Sequence, residues 1–218
     1  IQSYLHFILL IIGSIYAYPK YKLGLPLIFL SFKDLIQGLS YNNIKNKKST
    51  QILTSLSWIH ISLQPLFVNL FASHFDQKFK YWHIIFFTCL IFGINHITLL
   101  NEFDIQDDED CIKKDKNDDY CSKNTKSYIG KYHIGYKFST DKALKNSHKN
   151  IYLLLMFLPF LFTNCKIIYL LWGLFVALIY LIFANIGSGE QAAIWCYLSV
   201  FFCLPITIFS STIEKYIM

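Results

Sequence analysis

The sequence contains no arginine; all 20 of its basic residues are lysine. A bidentate clamp on phosphate or carboxylate is therefore excluded, because lysine offers a point charge and not a planar fork. Charge of either sign is scarce, at 16% of residues, where a soluble domain usually carries about a quarter. No HExxH or HxxxH pair occurs, so no helix presents a ready-made zinc site. No internal repeat is visible, which argues against an inverted-repeat transporter. No lysine lies between Ala192 and Thr207, where a last helix would hold retinal. The acidic stretch Asp104 to Asp119 lacks the glycine and terminal glutamate of an EF-hand. The order Gln64-Pro65 is the reverse of a proline-glutamine transporter motif. No N-x-S/T sequon occurs, so glycosylation gives no clue to sidedness.

What is present is apolar. Of the 218 residues, 54% are hydrophobic and 18% aromatic, and the mean hydropathy is +0.38. Several long apolar runs place the chain among polytopic membrane proteins. The formal charge is +6, but between Glu102 and Asn150 ten lysines balance ten acids. The excess sits on short loops and helix ends, at Lys20, Lys22, Lys45, Lys47, Lys48, Lys78 and Lys80. That distribution suits lipid headgroups and not nucleic acid.

The pattern predicts an all-α polytopic bundle, a single transmembrane domain over 1–218 with an extramembrane loop at about 102–140. Helices are expected over Leu5 to Tyr18, Leu25 to Tyr41, Gln51 to Ser73, Trp82 to Asn101, Ile167 to Ala184 and Glu190 to Ile213. The first is read as a helix and not a cleaved leader, since no basic residue precedes it. Pro26 falls in the first turn of the second helix, and Pro65 interrupts the third. The apolar part of a further helix, Ile151 to Thr163, is too short to span alone; a start at Asp141 would extend it. Seven helices result, or six if the turn at Asn164 and Lys166 does not form.

Cys89, Cys165, Cys196 and Cys203 fall in or beside apolar runs and read as packing residues. Cys111 and Cys121 bracket a polar segment of the long loop. A disulfide between them would place that loop in an extracellular or lumenal compartment. Ser188, Ala192, Cys196, Ser199 and Cys203 form a stripe of small residues suited to close helix approach.

Polar residues inside apolar runs are the candidate site. His60 and Gln64 share one face of the third helix with Ser57, and Asn69 follows. Lys33, Asp34 and Gln37 lie mid-way along the second, His96 on the fourth, and Glu190, Gln191 and Tyr197 on the last. His133 sits in the loop. Such residues are costly in lipid unless they face protein or water, so they are expected to converge inside the bundle. His60 and Glu190 would be its titrating members. The favoured reading is a channel or transporter-like protein for an ion, proton or small solute. The alternative is a non-catalytic subunit of a larger membrane assembly. An intramembrane metal-dependent enzyme using His60, His96, His133 and Glu190 is the weaker third reading. No catalytic residue, cofactor or metal is assigned. Expected partners are the bilayer, other membrane subunits or further copies of the chain.

Four segments together, SFKDLIQG (Ser31 to Gly38), HISLQPLFVN (His60 to Asn69), YHIGY (Tyr132 to Tyr136) and GEQAAIWC (Gly189 to Cys196), resemble a family of uncharacterised multipass membrane proteins. This domain of unknown function is seen in unicellular eukaryotes, large DNA viruses and, more distantly, bacteria. The resemblance runs from about Pro26 to Cys196. It implies six or seven membrane helices, directs attention to His60, Gln64, His133 and Glu190, and implies no activity. The acidic insert Asp104 to Lys126 departs from the family pattern.

Overall fold

A computed structural model describes residues 2–17, 20–100, 125–138, 146–157, 159, 162 and 166–217. Four helices come first: α1 Gln2–Tyr16, α2 Tyr21–Asn42, α3 Lys47–Ala72 and α4 Trp82–Thr98. Strands β1 Lys126–Ile129 and β2 Ile134–Lys137 follow. The chain ends in α5 Asn146–Phe157, α6 Lys166–Ile182, α7 Ser188–Leu198, α8 Val200–Ile208 and α9 Ser210–Ile217.

Short connections make neighbours antiparallel. Asn46 caps α3 by accepting from the Ser49 amide at 3.1 Å, with only three residues between it and the end of α2 at Asn42. Tyr4, at the start of α1, accepts from the Asn42 side chain at the end of α2. On α3 and α4, Trp58 meets His96 while Asn69 meets Cys89, so these helices also run opposite ways. At Gly93 of α4 a Cβ would crowd the Ser62 carbonyl at 3.0 Å, so glycine permits this approach. α5 runs alongside α3 in the same direction, pairing Tyr152 with Gln64 and Leu155 with Asn69. α7 runs against α2, with Gln37 donating to the Ala193 carbonyl.

The larger core cluster joins α1, α2, α6, α7 and α8 through Leu10, Leu27, Trp172, Trp195 and Cys203. A smaller one forms where Ile134, Tyr136 and Phe138 meet Trp58, Ile61 and Ala193.

Three boundaries differ from the sequence expectation. α3 is continuous through Pro65. The carbonyl of Ile61 loses its amide donor, yet tertiary packing on both sides holds the helix. α2 begins at Tyr21, which puts Pro26 in its second turn and not its first. The last expected helix is interrupted at Ser199 and Phe209 but runs on through both, since their amides still bond the Trp195 and Pro205 carbonyls. Pro205 cannot donate to the Phe201 carbonyl, and that defect lies between the two interruptions.

The chain is mostly helical, but the loop expected at 102–140 carries a β-hairpin. Its strands pair Lys126 with Lys137, Ser127 with Tyr136, Tyr128 with Gly135 and Ile129 with Ile134. Ile134, Tyr136 and Phe138 are fully buried, so the hairpin is a docked part of the core. Among the described residues, fewer helices than the expected seven are long and apolar enough to cross a membrane. Two stretches, Lys22–Asn42 and Gly189–Ile208, are long and apolar enough to cross a membrane. The 17 residues of α4 rise only about 25 Å, against a hydrocarbon core of about 30 Å. Cys111, Cys121 and Cys165 lie outside the described residues; Cys89, Cys196 and Cys203 are free buried thiols.

Asn69 shows how interior amides tie helices together. Its side chain is fully buried and donates to Pro65 O and Leu155 O, each at 2.8 Å. Asn69→Ala is expected to cost about 2–3 kcal/mol, since it strips a buried carbonyl of its donor and leaves a cavity. A drop in thermal midpoint in detergent would show it; an unchanged midpoint would refute the assignment.

Candidate functional site

The polar side chains of α2 and α3 meet beneath the hairpin. Lys33, Asp34 and Gln37 are each at most 1% exposed. The Lys33 ammonium stands 4.2 Å from the centroid of the Tyr136 ring, a cation–π contact strengthened by burial. It makes no hydrogen bond. Both carboxylate oxygens of Asp34 also lack a hydrogen-bond partner, although Lys33 is within electrostatic reach. Successive helix residues diverge by about 100°, which holds the two heads apart. Gln37 spends its amide nitrogen on Ala193 O at 2.9 Å and leaves its oxygen unpartnered.

His60 approaches from α3. Its Nε2 lies 2.9 Å from Phe29 O, and its Nδ1 is buried without a partner. The Ser57 hydroxyl, one turn earlier, lies beside the Tyr136 phenol, within hydrogen-bonding reach of it. Cys196 of α7 completes the enclosure, within reach of Lys33 and Asp34. Gln64 closes one edge, donating to Cys196 Sγ at 3.8 Å and accepting from Tyr152 at 2.8 Å. On the side away from the hairpin the Phe29 ring is stacked between His60 at 3.9 Å and Phe67 at 3.8 Å. Beyond it lies an apolar crevice walled by Pro26, Leu30, Phe71 and Trp172.

The remaining predicted residues take other places. His96 belongs to the α3–α4 seam: its Nδ1 lies 2.8 Å from the Ser62 hydroxyl and its ring stacks on Trp58. Gln191 donates to Phe183 O at 2.7 Å and closes the α6–α7 turn. Tyr197 donates to Gln2 at the surface.

Glu190 is buried, and its carboxylate is held by the hairpin turn. Oε1 accepts from the amides of Tyr132 at 2.6 Å and His133 at 2.9 Å, and Oε2 from Lys131 at 3.1 Å. Three convergent amides form a nest for an anion. Gly130 makes room: a Cβ there would run into the Glu190 carboxyl carbon and the His133 carbonyl.

His133 sits in the same turn, with its Nδ1 unpartnered. Burial pushes its imidazole down to about 4, opposed by a bond to the Ile134 backbone and by Glu190, and assisted by Lys33 and His6. The unfolded chain therefore binds a proton near pH 6.5 that the folded chain refuses until about pH 4. Stability from the neutral ring is complete above about 6.5 and is lost as the pH falls towards 4, up to about 3 kcal/mol. The thermal midpoint should fall over that window, and His133→Phe should flatten the fall. Parallel pH profiles would contradict this.

Among the described residues, no three His, Cys, Asp or Glu side chains gather as metal ligands. In the sequence, Gly130, Tyr136 and Tyr152 have no place among the candidate residues, and Cys196 is marked only as a packing residue. The hairpin did leave a signal: Ile134, Tyr136 and Phe138 alternate at strand period, with Gly130 before them.

Fold and site together define a helical bundle capped at one end by a β-hairpin and centred on unpaired polar side chains. The chain belongs to DUF5765, a family of unknown function, whose family model matches residues 6–218. No curated protein and no solved structure matches it.

Proposed function

We propose that this is a multipass integral membrane protein that passes an ion, a proton or a small solute through its buried polar centre. Its outer faces support the membrane setting. Ile84, Phe87, Ile91 and Ile94 make an exposed stripe on α4, and Leu170, Leu174, Leu178 and Leu181 make another on α6. Leu5, Ile8, Ile12 and Ile15 do the same on α1. In water such contiguous apolar faces would drive association, whereas lipid is their natural solvent. With α7, α8 and α9 counted as one bent element, the helices would make seven passes of alternating direction. The shorter ones would cross with local thinning of the bilayer.

One observation carries the functional reading. Lys33, Asp34, Gln37 and His60 each bring a buried polar atom without a hydrogen-bond partner to the same part of the core. A centre serving only to join helices would satisfy those atoms, since each unsatisfied one costs about 1–3 kcal/mol. Water or cargo supplies the partners. The structural-subunit reading draws support from Gln64, Asn69, Glu190 and Gln191, whose side chains are spent on bonds between elements.

The test is flux in proteoliposomes containing the full chain. Asp34→Asn and His60→Ala should each lower it about tenfold or more. Equal flux in wild type and both variants would favour the structural subunit.

A further inference from the structure

We propose that a groove at the start of α4 holds one acyl chain of an anionic membrane phospholipid, with the phosphate on Lys78, Lys80 and the N-terminus of α4. This rests on the membrane reading above and not on the transport claim.

A cavity of about 610 Å³ lies between the first turns of α4 and the chain that follows α5. That size falls within the range of about 300–1,000 Å³ usual for small-molecule sites. Tyr81, Ile84 and Thr88 wall one side, at i, i+3 and i+7 on a single helix face. From Tyr81 to Thr88 the groove runs about 10 Å along α4. Leu155, Pro159 and Phe162 wall the other side. Ile84 and Phe162 are exposed, so among the described residues nothing covers them. Apart from Tyr81 at the mouth, the walls offer no polar handle, because the Thr88 hydroxyl donates to Ile84 O of its own helix at 2.9 Å.

Charge gathers at the mouth instead. Lys78 and Lys80 flank Phe79, another wall residue, in the turn before α4, and both are exposed. The Lys80 ammonium stands 5.0 Å from the centroid of the Tyr81 ring, which seats one positive charge on the wall itself. Among the described residues neither lysine is paired with a carboxylate. Asp76, the acid of this turn, is buried. α4 starts with no side-chain cap and no acid in its first turn. Its leading amides therefore add partial positive charge and favour an anion at the same end.

An amphipathic anion matches both halves of this arrangement. A small soluble anion would leave the walls bare, and a neutral lipid would leave the lysines without a partner. In a bilayer an open apolar groove fills, because bare walls lose their contacts, and a lipid chain is the occupant at hand. Tyr81 and Trp82 stand at this end, and such rings collect at the headgroup level. Phosphate and lysine then meet at the same depth, as they do where basic pockets between helices take anionic headgroups.

The test takes the full chain in a non-ionic detergent and counts bound lipid by native mass spectrometry. Phosphatidylglycerol and phosphatidylcholine with identical chains are the probes. Wild-type protein should retain phosphatidylglycerol about tenfold better than phosphatidylcholine, a scale that two lysines supply at a headgroup. Lys78→Gln/Lys80→Gln should erase that preference and leave phosphatidylcholine binding as it was. Thr88→Trp, at an exposed position, fills the groove and should lower retention of both lipids about tenfold. Lys47→Gln/Lys48→Gln, the same charge change at the hairpin end, should leave the preference intact. Equal retention of the two lipids by wild type would overturn the anionic headgroup. Equal losses in the two lysine pairs would reduce the effect to net charge and overturn the site. A lipid-free dimer that Thr88→Trp splits would put a second copy in the groove and overturn the lipid. Separately, wild-type chain washed off liposomes by alkaline carbonate would remove the membrane reading itself.

Discussion

Glu190→Ala is expected to lower the thermal midpoint by about 10 °C and to release the hairpin from the bundle. Its carboxylate accepts three amide bonds from one turn, and bonds to a charged acceptor contribute about 1.5–3 kcal/mol each. The sum overstates the loss, because Lys131 and Tyr132 are exposed and their amides can turn to water. A net of about 3–4 kcal/mol follows, and each kcal/mol moves the midpoint by about 2–4 °C in a chain of this size. Glu190→Gln keeps one acceptor oxygen but turns an amino group towards an amide donor, so it should cost about half as much. Gly130→Ala should match Glu190→Ala, since the new methyl occupies the space of the carboxyl group. Both variants break one contact, so the double variant should be little worse than either alone. Protease cleavage between 126 and 137 reports the released hairpin directly. Fully additive losses would contradict the clamp.

The second large effect separates stability from transport. Lys33→Met and Asp34→Leu each leave the other charge buried alone, which costs about 3–5 kcal/mol. The double variant Lys33→Met/Asp34→Leu removes both and should recover most of that loss, because neither charge is hydrogen-bonded in the native protein. It should fold, show a midpoint near wild type, and carry no flux above protein-free liposomes. A stable, fully active double variant would mean that these charges do not carry the transport reaction. A double variant as unstable as the sum of the singles would mean that the two groups do not interact.

Part of this site was legible in the sequence. Lys33, Asp34, Gln37, His60 and Gln64 stand out because each interrupts an apolar run, and the helical period puts His60, Gln64 and Ser57 on one face. Their common burial follows from the same argument. The role of Glu190 was not legible: its partners are backbone amides 57 to 59 residues away, and a main-chain donor has no signature in side-chain identity. His96 was grouped with the centre by type, but the pairing of α3 with α4 sends it to Ser62 and Trp58.

By itself, the sequence determined the helical class, the apolar surface and the set of polar residues needing cover, because periodicity and composition are local properties. Only the tertiary structure decided which of those residues meet. It brought Tyr136 over Lys33, set Phe29 between His60 and Phe67, and docked the hairpin on Glu190. Each of these depends on how separate elements pack, and packing is set by the summed fit of many side chains.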